Sequence, residues 1–429
     1  MNLRFLGNKE VKNAGWLIGE QVFQMVISLV VSILSARYLG PENHGSLNYT
    51  LSIVTLFTSI ATLGMEGVVI KKMIAAPEEE GAYLGGCIGL RLLASVLSTI
   101  AISAIICVLN PGDWVKLAMA LLQSLHLVFK SFHVLDSWFQ RHLKSRYAAI
   151  GKMAACIVVS AYRILLLICS SNLLWFAFNS ALSDIVIAVV LFVFYKKENG
   201  QKLRPDLRRG VDVLKESYHF ILSGLMVAIY GQMDKIMIGK MLTDTDTGLY
   251  AVATAVCGMW IFIPQAVINS FRPMIMELKQ KQQEELYLLR LQQLYSAVIW
   301  MCILVSVAVC FCGGFIIHLL YGDAYAGAAD ALRIAVWFET FSMIGTARGI
   351  WILCENKNKY VKYYLACGVV VNLILNALLI PVIGINGAAL ATLVTQITTS
   401  IIAPLLFRET KVHTKIVWDA FTLRWWRKR

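Results

Sequence analysis

Three arginines, Arg91, Arg163 and Arg348, stand inside otherwise apolar stretches of this 429-residue chain. An ionised side chain in such a place is costly and turns toward a wet cavity or a partner. The guanidinium stays charged at any relevant pH, and its planar fork donates two parallel hydrogen bonds, so a diphosphate is the ligand it suits best. Two structural alternatives stand beside that reading. Arg91 and Arg348 are near enough to the ends of their stretches to snorkel to the inner interface, and Arg163 could pair with Asp184 on the next stretch.

Glu20, Glu66 and Glu339 occupy similar surroundings, where a carboxylate can exchange a proton or hold a cation within a transport cycle. Asp234 and Lys235, in GQMDKIMIG, point about 100° apart on a helix and cannot pair with each other. Each needs its own partner. For Asp234 the partner expected is Arg37, at the equivalent end of an earlier stretch, in a gating contact that closes the outer side. The alternative is a fixed hydrogen-bond network within one half, with Lys235 reaching outward. Gln21, Gln24, Asn48, Tyr49, Gln123, Tyr230, Gln232 and Asn269 add groups that suit sugar hydroxyls or bonds between helices.

No catalytic or metal-binding pattern accompanies these charges. The seven histidines, among them His44, His126, His133, His219 and His318, form no HExxH or similar cluster and read as single polar groups at helix ends. The ten cysteines lie in apolar runs without CxxC spacing and read as small buried hydrophobes. No metal, no cofactor and no enzymatic activity are expected.

The elements that must position the charges are membrane spans. With 58% hydrophobic residues, 15% charged residues and a mean hydropathy of +0.67, the chain exceeds what one soluble core can hold. Runs long enough to cross about 30 Å of hydrocarbon fall at 14–36, 46–70, 84–109, 113–134, 150–170 and 172–195, then at 216–242, 247–270, 294–320, 327–354, 360–383 and 384–407. Lys and Arg gather on every second loop, as in Lys71 and Lys72, Arg141 to Lys152, Lys196 to Lys215 and Lys357 to Lys362. The positive-inside rule therefore puts both ends in the cytoplasm and makes the span count even, with twelve the best fit. The net charge of +13 is spread over those loops, where it orients insertion and meets anionic lipid; it does not point to nucleic acid. The first run follows a polar tail and is long enough to stay in the membrane, so no cleaved signal peptide is expected.

The charged stretch KKENGQKLRPDLRRGVDVLK, 196–215, reads as a cytoplasmic basic linker between a lobe at 1–195 and a lobe at 216–407, followed by a basic aromatic tail at 408–429. ARYLGPENHGSLNYT and GKMLTDTDTGLYAVAT align weakly, matching Arg37 with Lys240, Leu39 with Leu242 and Gly45 with Gly248. Repeats with an even number of spans enter the membrane from the same side, so the two six-helix lobes are expected to be parallel repeats around a central cavity. Residues 277–295 read as a surface helix extending the ninth span, and the tail as a helix at the inner headgroup layer.

Several segments resemble a known family. AGWLIGEQVFQMVISLVVSILSARYLGPENHGSLNYTLSIV, DSWFQRHLKSRYAAIGK, YGQMDKIMIGKMLTDTDTGLYAVATAV, FIPQAVINSFRPMIMEL and LIPVIGINGAALATLVTQ are similar to the polysaccharide transporter family, the Wzx-type flippases of the multidrug/oligosaccharidyl-lipid/polysaccharide exporter superfamily. The resemblance covers nearly the whole chain and implies a bacterial cytoplasmic-membrane protein. Its implied cargo is an undecaprenyl-diphosphate-linked oligosaccharide, moved between leaflets with membrane lipids around it, with proton or cation coupling and with glycosyltransferases and a glycan polymerase as partners. A drug or cation exporter of the same superfamily would call for carboxylates and aromatics in the cavity. A membrane enzyme acting on lipid-linked glycans would call for a large outer loop or a His/Asp cluster.

Overall fold

The computed structural model describes residues 8–423, with side chains from residue 23 onward except position 26. Glu20, Gln21 and the tail residues Trp425 and Trp426 lie outside the described side chains. The described elements are helical: α1 (Asn8–Thr62), α2 (Glu66–Ala75), α3 (Glu80–Leu109), α4 (Trp114–Lys130), α5 (Val134–Arg141), α6 (Arg146–Ile168), α7 (Leu173–Ala177) and α8 (Asn179–Lys197). They continue as α9 (Leu207–Met241), α10 (Asp244–Gly258), α11 (Phe262–Gln280), α12 (Glu284–Tyr321), α13 (Ala328–Cys354), α14 (Val361–Ile383), α15 (Ile385–Ile397), α16 (Ala403–Leu405) and α17 (Lys411–Phe421).

Nine stretches among the described residues are long and apolar enough to cross a membrane, and ten if α10 and α11, bent by 41° at their break, form one span. The first stretch, Phe23–Ala75, has 53 residues, about 80 Å of helix, and so crosses twice. It turns at Gly40, whose φ of 71° and ψ of 169° break the helix just before Pro41. Helix α13 is long enough to cross, and Glu339 and Arg348 lower its hydropathy; both are buried. With it the count reaches twelve. Phe311, Val382, Val108 and Ile168 are among the exposed large side chains, as lipid-facing positions require.

By packing, the chain divides into two units: Met1–Leu39 with Ser46–Ala228, and Gly40–Gly45 with Ile229–Arg429. In the first unit, α8 packs on α4 and α6, and α3 packs on α4. Met65, Val69, Leu84, Val134, Phe139 and Leu191 belong to its core. In the second, α13 packs on α12 and α15, and α14 on α15, around Ile268, Tyr295, Val298, Ile344, Trp351 and Ala403.

One cytoplasmic expectation is corrected. Residues 277–295 are not one surface helix: α11 ends at Gln280 and α12 starts at Glu284, and Tyr287, Leu291, Leu294 and Tyr295 are buried in the core. The tail helix α17 packs one face on α12, burying His413, Ile416, Val417 and Ala420, while Trp418 and Phe421 stay exposed. Apolar side chains that recur at helical spacing find protein before they find lipid.

The basic loop is strapped onto α3 before α9 begins. Arg204 N–H donates to the Gly81 carbonyl (3.0 Å), Gly81 N–H to Gln201 Oε1 (3.1 Å) and Gln201 Nε2 to the Pro77 carbonyl (2.7 Å). The backbone passes so close that a Cβ on Gly85 would lie 2.1 Å from the Arg204 carbonyl oxygen, and one on Gly86 2.1 Å from that of Asp206. Lys144 Nζ donates to Glu198 at 2.6 Å, which with Tyr147 holds that carboxyl below the usual range. Gly85→Val is expected to lift the strap. Limited tryptic proteolysis at Lys202 should then run at least about tenfold faster, and unchanged cleavage would show that the contact is not holding the loop.

Candidate functional site

Both units carry buried polar groups. In the first, Arg91 on α3 is fully buried, and its Nε, Nη1 and Nη2 have no hydrogen-bond partner. The nearest anion is Glu66 Oε1, 3.7 Å from Nη2, on a side chain that is 65% exposed. An unmet buried donor costs about 1–3 kcal/mol, so this guanidinium is set to take an acceptor. Ser95 fastens the same helix to its neighbours through the Leu127 carbonyl (2.9 Å) and Ser131 Oγ (3.2 Å).

On α8 of the same unit, Asp184 is buried between two imidazoles. Its Oδ2 is 3.1 Å from His126 Nδ1, and its Oδ1 is 3.3 Å from His133 Nε2. Its ion-pair partners are these rings and not Arg163, which is half-buried on α6 with an unpartnered Nε. Gln123 donates to the Leu47 carbonyl (3.1 Å) and Asn110 to Tyr49 Oη (2.9 Å), so those two polar groups from the sugar-compatible set serve packing between helices.

In the second unit, Asp234 on α9 is buried and its carboxylate is saturated. Oδ1 accepts from Asn372 Nδ2 (3.1 Å) and Asn376 Nδ2 (2.6 Å), and Oδ2 from Tyr250 Oη (2.7 Å) and from Thr392 Oγ1. The gating partnership expected with Arg37 meets a carboxylate with no free oxygen; the geometry is the fixed network inside one half. Lys235, the next residue, is half-buried, and Arg37 is exposed in the other unit. The Oδ1 atoms of Asn372 and Asn376 are buried without hydrogen-bond partners.

Arg348 on α13 is not snorkelling. Its Nη1 donates to the Thr399 carbonyl, inside the short π-helical stretch Thr398–Ile402, and its guanidinium lies 4.7 Å from the centre of the Tyr364 ring. The wide turn frees a carbonyl, and the arginine takes it. Glu339, on the same helix, is buried and forms no ion pair among the described residues. Glu66 is the exposed mate of Arg91. Among the described residues no group of three or more His, Cys, Asp or Glu side chains could hold a metal ion.

The sequence carried signals that a reading of single residues missed. His126 and His133 are seven apart, hence on one helical face, and Asn372 and Asn376 are four apart in VNLILNAL.

Residues 11–278 match the sequence profile of a family described as polysaccharide biosynthesis protein. A relative in Haloferax volcanii, a probable low-salt glycan biosynthesis flippase, is 23% identical over 368 residues, covering 83% of this chain and 75% of its own. The inward closed structure of a lipid II flippase superposes with a TM-score of 0.73 at 16% identity, over 95% of this chain and 91% of that one. An inward-facing multidrug resistance transporter of the MATE family gives 0.67 at 14% identity, over 91% and 95%.

Proposed function

Because the chain belongs to the polysaccharide biosynthesis protein family, we propose that it is a flippase for an undecaprenyl-diphosphate-linked oligosaccharide. It works by alternating access in the bacterial cytoplasmic membrane, with both termini inside and two parallel-repeat lobes, for assembly of cell-surface polysaccharide. Glycosyltransferases make its cargo and a polymerase consumes it. The flippase named among the relatives, with its glycan pathway, supports this assignment.

The observation that carries the reading is the fully buried guanidinium of Arg91, which has no hydrogen-bond partner and only the exposed Glu66 beside it, at 3.7 Å, a cation suited to a phosphate oxygen. Arg163 is the second candidate. Arg348 is committed to Thr399 and Tyr364 and is placed as a support for its own unit. Glu66 and Glu339 remain proposals for proton or cation coupling. A drug exporter is the second reading, favoured by the likeness to the MATE structure; carboxylates would then carry selectivity.

Translocation of a lipid-linked saccharide in proteoliposomes tests both. Arg91→Gln is expected to slow it about ten- to a hundredfold, the worth of one charge-assisted hydrogen bond, with normal protein yield. Full-rate transport by Arg91→Gln with Arg163→Gln would remove the assigned role, and export of organic cations with no saccharide movement would favour the second reading.

A further inference from the structure

We propose that the second unit holds one anionic phospholipid at the seam where α14 begins and α16 ends, apart from the arginines assigned to cargo. The apolar stretch Asn358–Ile383, long enough to cross a membrane, starts there, and Ile385–Leu405 finishes there, so the charged flanks of two spans meet. Phe407 joins them. Its ring centre lies 5.0 Å from that of Tyr360 and 5.6 Å from that of Tyr363. Thr410, fully buried, donates its hydroxyl to the Pro404 carbonyl at 2.7 Å, which fixes the turn that carries Arg408.

Positive charge is in excess at this seam. The carboxylate of the turn, Glu409, is taken by Lys357 at 2.6 Å and Lys359 at 3.4 Å, and Glu355, at the end of α13, is taken by Lys279 at 2.8 Å. Lys362, Arg408 and Lys411 are exposed and have no ion-pair partner among the described residues; the Lys362 ammonium stands 5.1 Å from the centre of the Tyr363 ring. Clusters of Lys and Arg immediately beside membrane spans take anionic lipid headgroups. Three uncompensated cations on a fixed turn and a helix start make such a cluster.

The surface next to the cations identifies the occupant as a lipid. Tyr363, Val370 and Ile374 are exposed along one face of α14, and that face runs about 16 Å from the first to the last, close to the depth of one leaflet's hydrocarbon. On the other side of the seam Ile402 and Leu406 are exposed. A soluble anion or an acidic peptide would meet the cations and leave this apolar strip bare. A diacyl phospholipid covers both, its phosphate among Lys362, Arg408 and Lys411 and its chains along α14, with Tyr363 at the headgroup level where amphipathic rings gather.

The test uses the full chain in phosphatidylcholine nanodiscs that contain a minor fraction of phosphatidylglycerol with a photoreactive acyl chain, followed by chymotryptic digestion and peptide mapping by mass spectrometry. Photoreactive phosphatidylcholine is the reference lipid. Labelling of residues 402–407 by phosphatidylglycerol is expected to exceed that by phosphatidylcholine at least about fivefold, the worth of one cation at a charged surface. Phe311 and Phe315, exposed near the C-terminal end of α12, should take both lipids alike. The combined Lys362→Gln, Arg408→Gln and Lys411→Gln protein should lose the excess at an unchanged melting temperature, and Lys362→Arg with Lys411→Arg should keep it. Equal labelling of 402–407 by the two lipids would overturn the site, as would an excess that survives the triple substitution. Displacement of the phosphatidylglycerol by undecaprenyl diphosphate would give the seam to cargo and overturn it as well.

Discussion

Alanine at Gly45 is expected to leave little folded protein, and alanine at Gly248 should do the same. A Cβ on Gly45 would lie 1.7 Å from the Asp244 carbonyl oxygen and 2.7 Å from the Gly248 nitrogen, and one on Gly248 would lie 2.0 Å from the Pro41 carbonyl oxygen. Each glycine is the space that the other's helix occupies, a close crossing built from small residues. Neither neighbour can yield cheaply because both are backbone. Thr243 and Asp246 lock the start of α10 in a capping box. The loss should be about 4 kcal/mol or more, among the largest that a single methyl produces, and should lower the melting temperature by about 10 °C. Gly349→Ala is the control, since a Cβ there meets nothing within 4 Å. Equal melting of the Gly45→Ala and Gly349→Ala proteins would disprove the crossing.

Asp234→Ala is the second large effect. Four donors, from Tyr250, Asn372, Asn376 and Thr392, lose their acceptor at once. Each unmet buried donor costs about 1–3 kcal/mol, and partial rearrangement of two hydroxyls offsets some of that, so about 4 kcal/mol is expected. Asp234→Asn should lose less, because it keeps one acceptor oxygen while its amide faces two donors. Double-variant cycles with Asn376→Ala should show coupling of about 1 kcal/mol or more. If Asp234→Ala melts like the unmodified protein, the carboxylate is not holding α9, α14 and α15 together.

Much of the architecture was legible in sequence because hydrocarbon imposes it. Length, hydropathy and alternating Lys and Arg place the spans, since an unmet backbone group in lipid is too costly to allow other solutions. Site partners were less legible. Asp184 could be matched on paper with Arg163, yet which of several polar groups reaches a buried carboxylate depends on helix rotation, and that is set by packing that no hydropathy window records. Asp234 shows the same limit: the charge stood out in GQMDKIMIG, whereas its partners Asn372, Asn376 and Thr392 are neutral and lie far along the chain. Glu339 and Arg348 were legible as buried charges, but the π stretch that engages Arg348 has no signature in residue type. The pairing of Gly45 with Gly248 was visible as a repeat and became a physical contact.

Gly40–Gly45 is synthesised with the first half of the chain and packs with the second. The notch at Gly248 that receives it does not exist when Pro41 leaves the ribosome, so this early turn has to wait in the bilayer for helices still to be made. Cutting the gene within the 196–215 loop would therefore not yield two self-sufficient pieces. The carboxyl-terminal fragment would lack the ridge that fills its own notch, and only co-production with the amino-terminal fragment would restore it, which makes biogenesis order a built-in dependence of one half on the other.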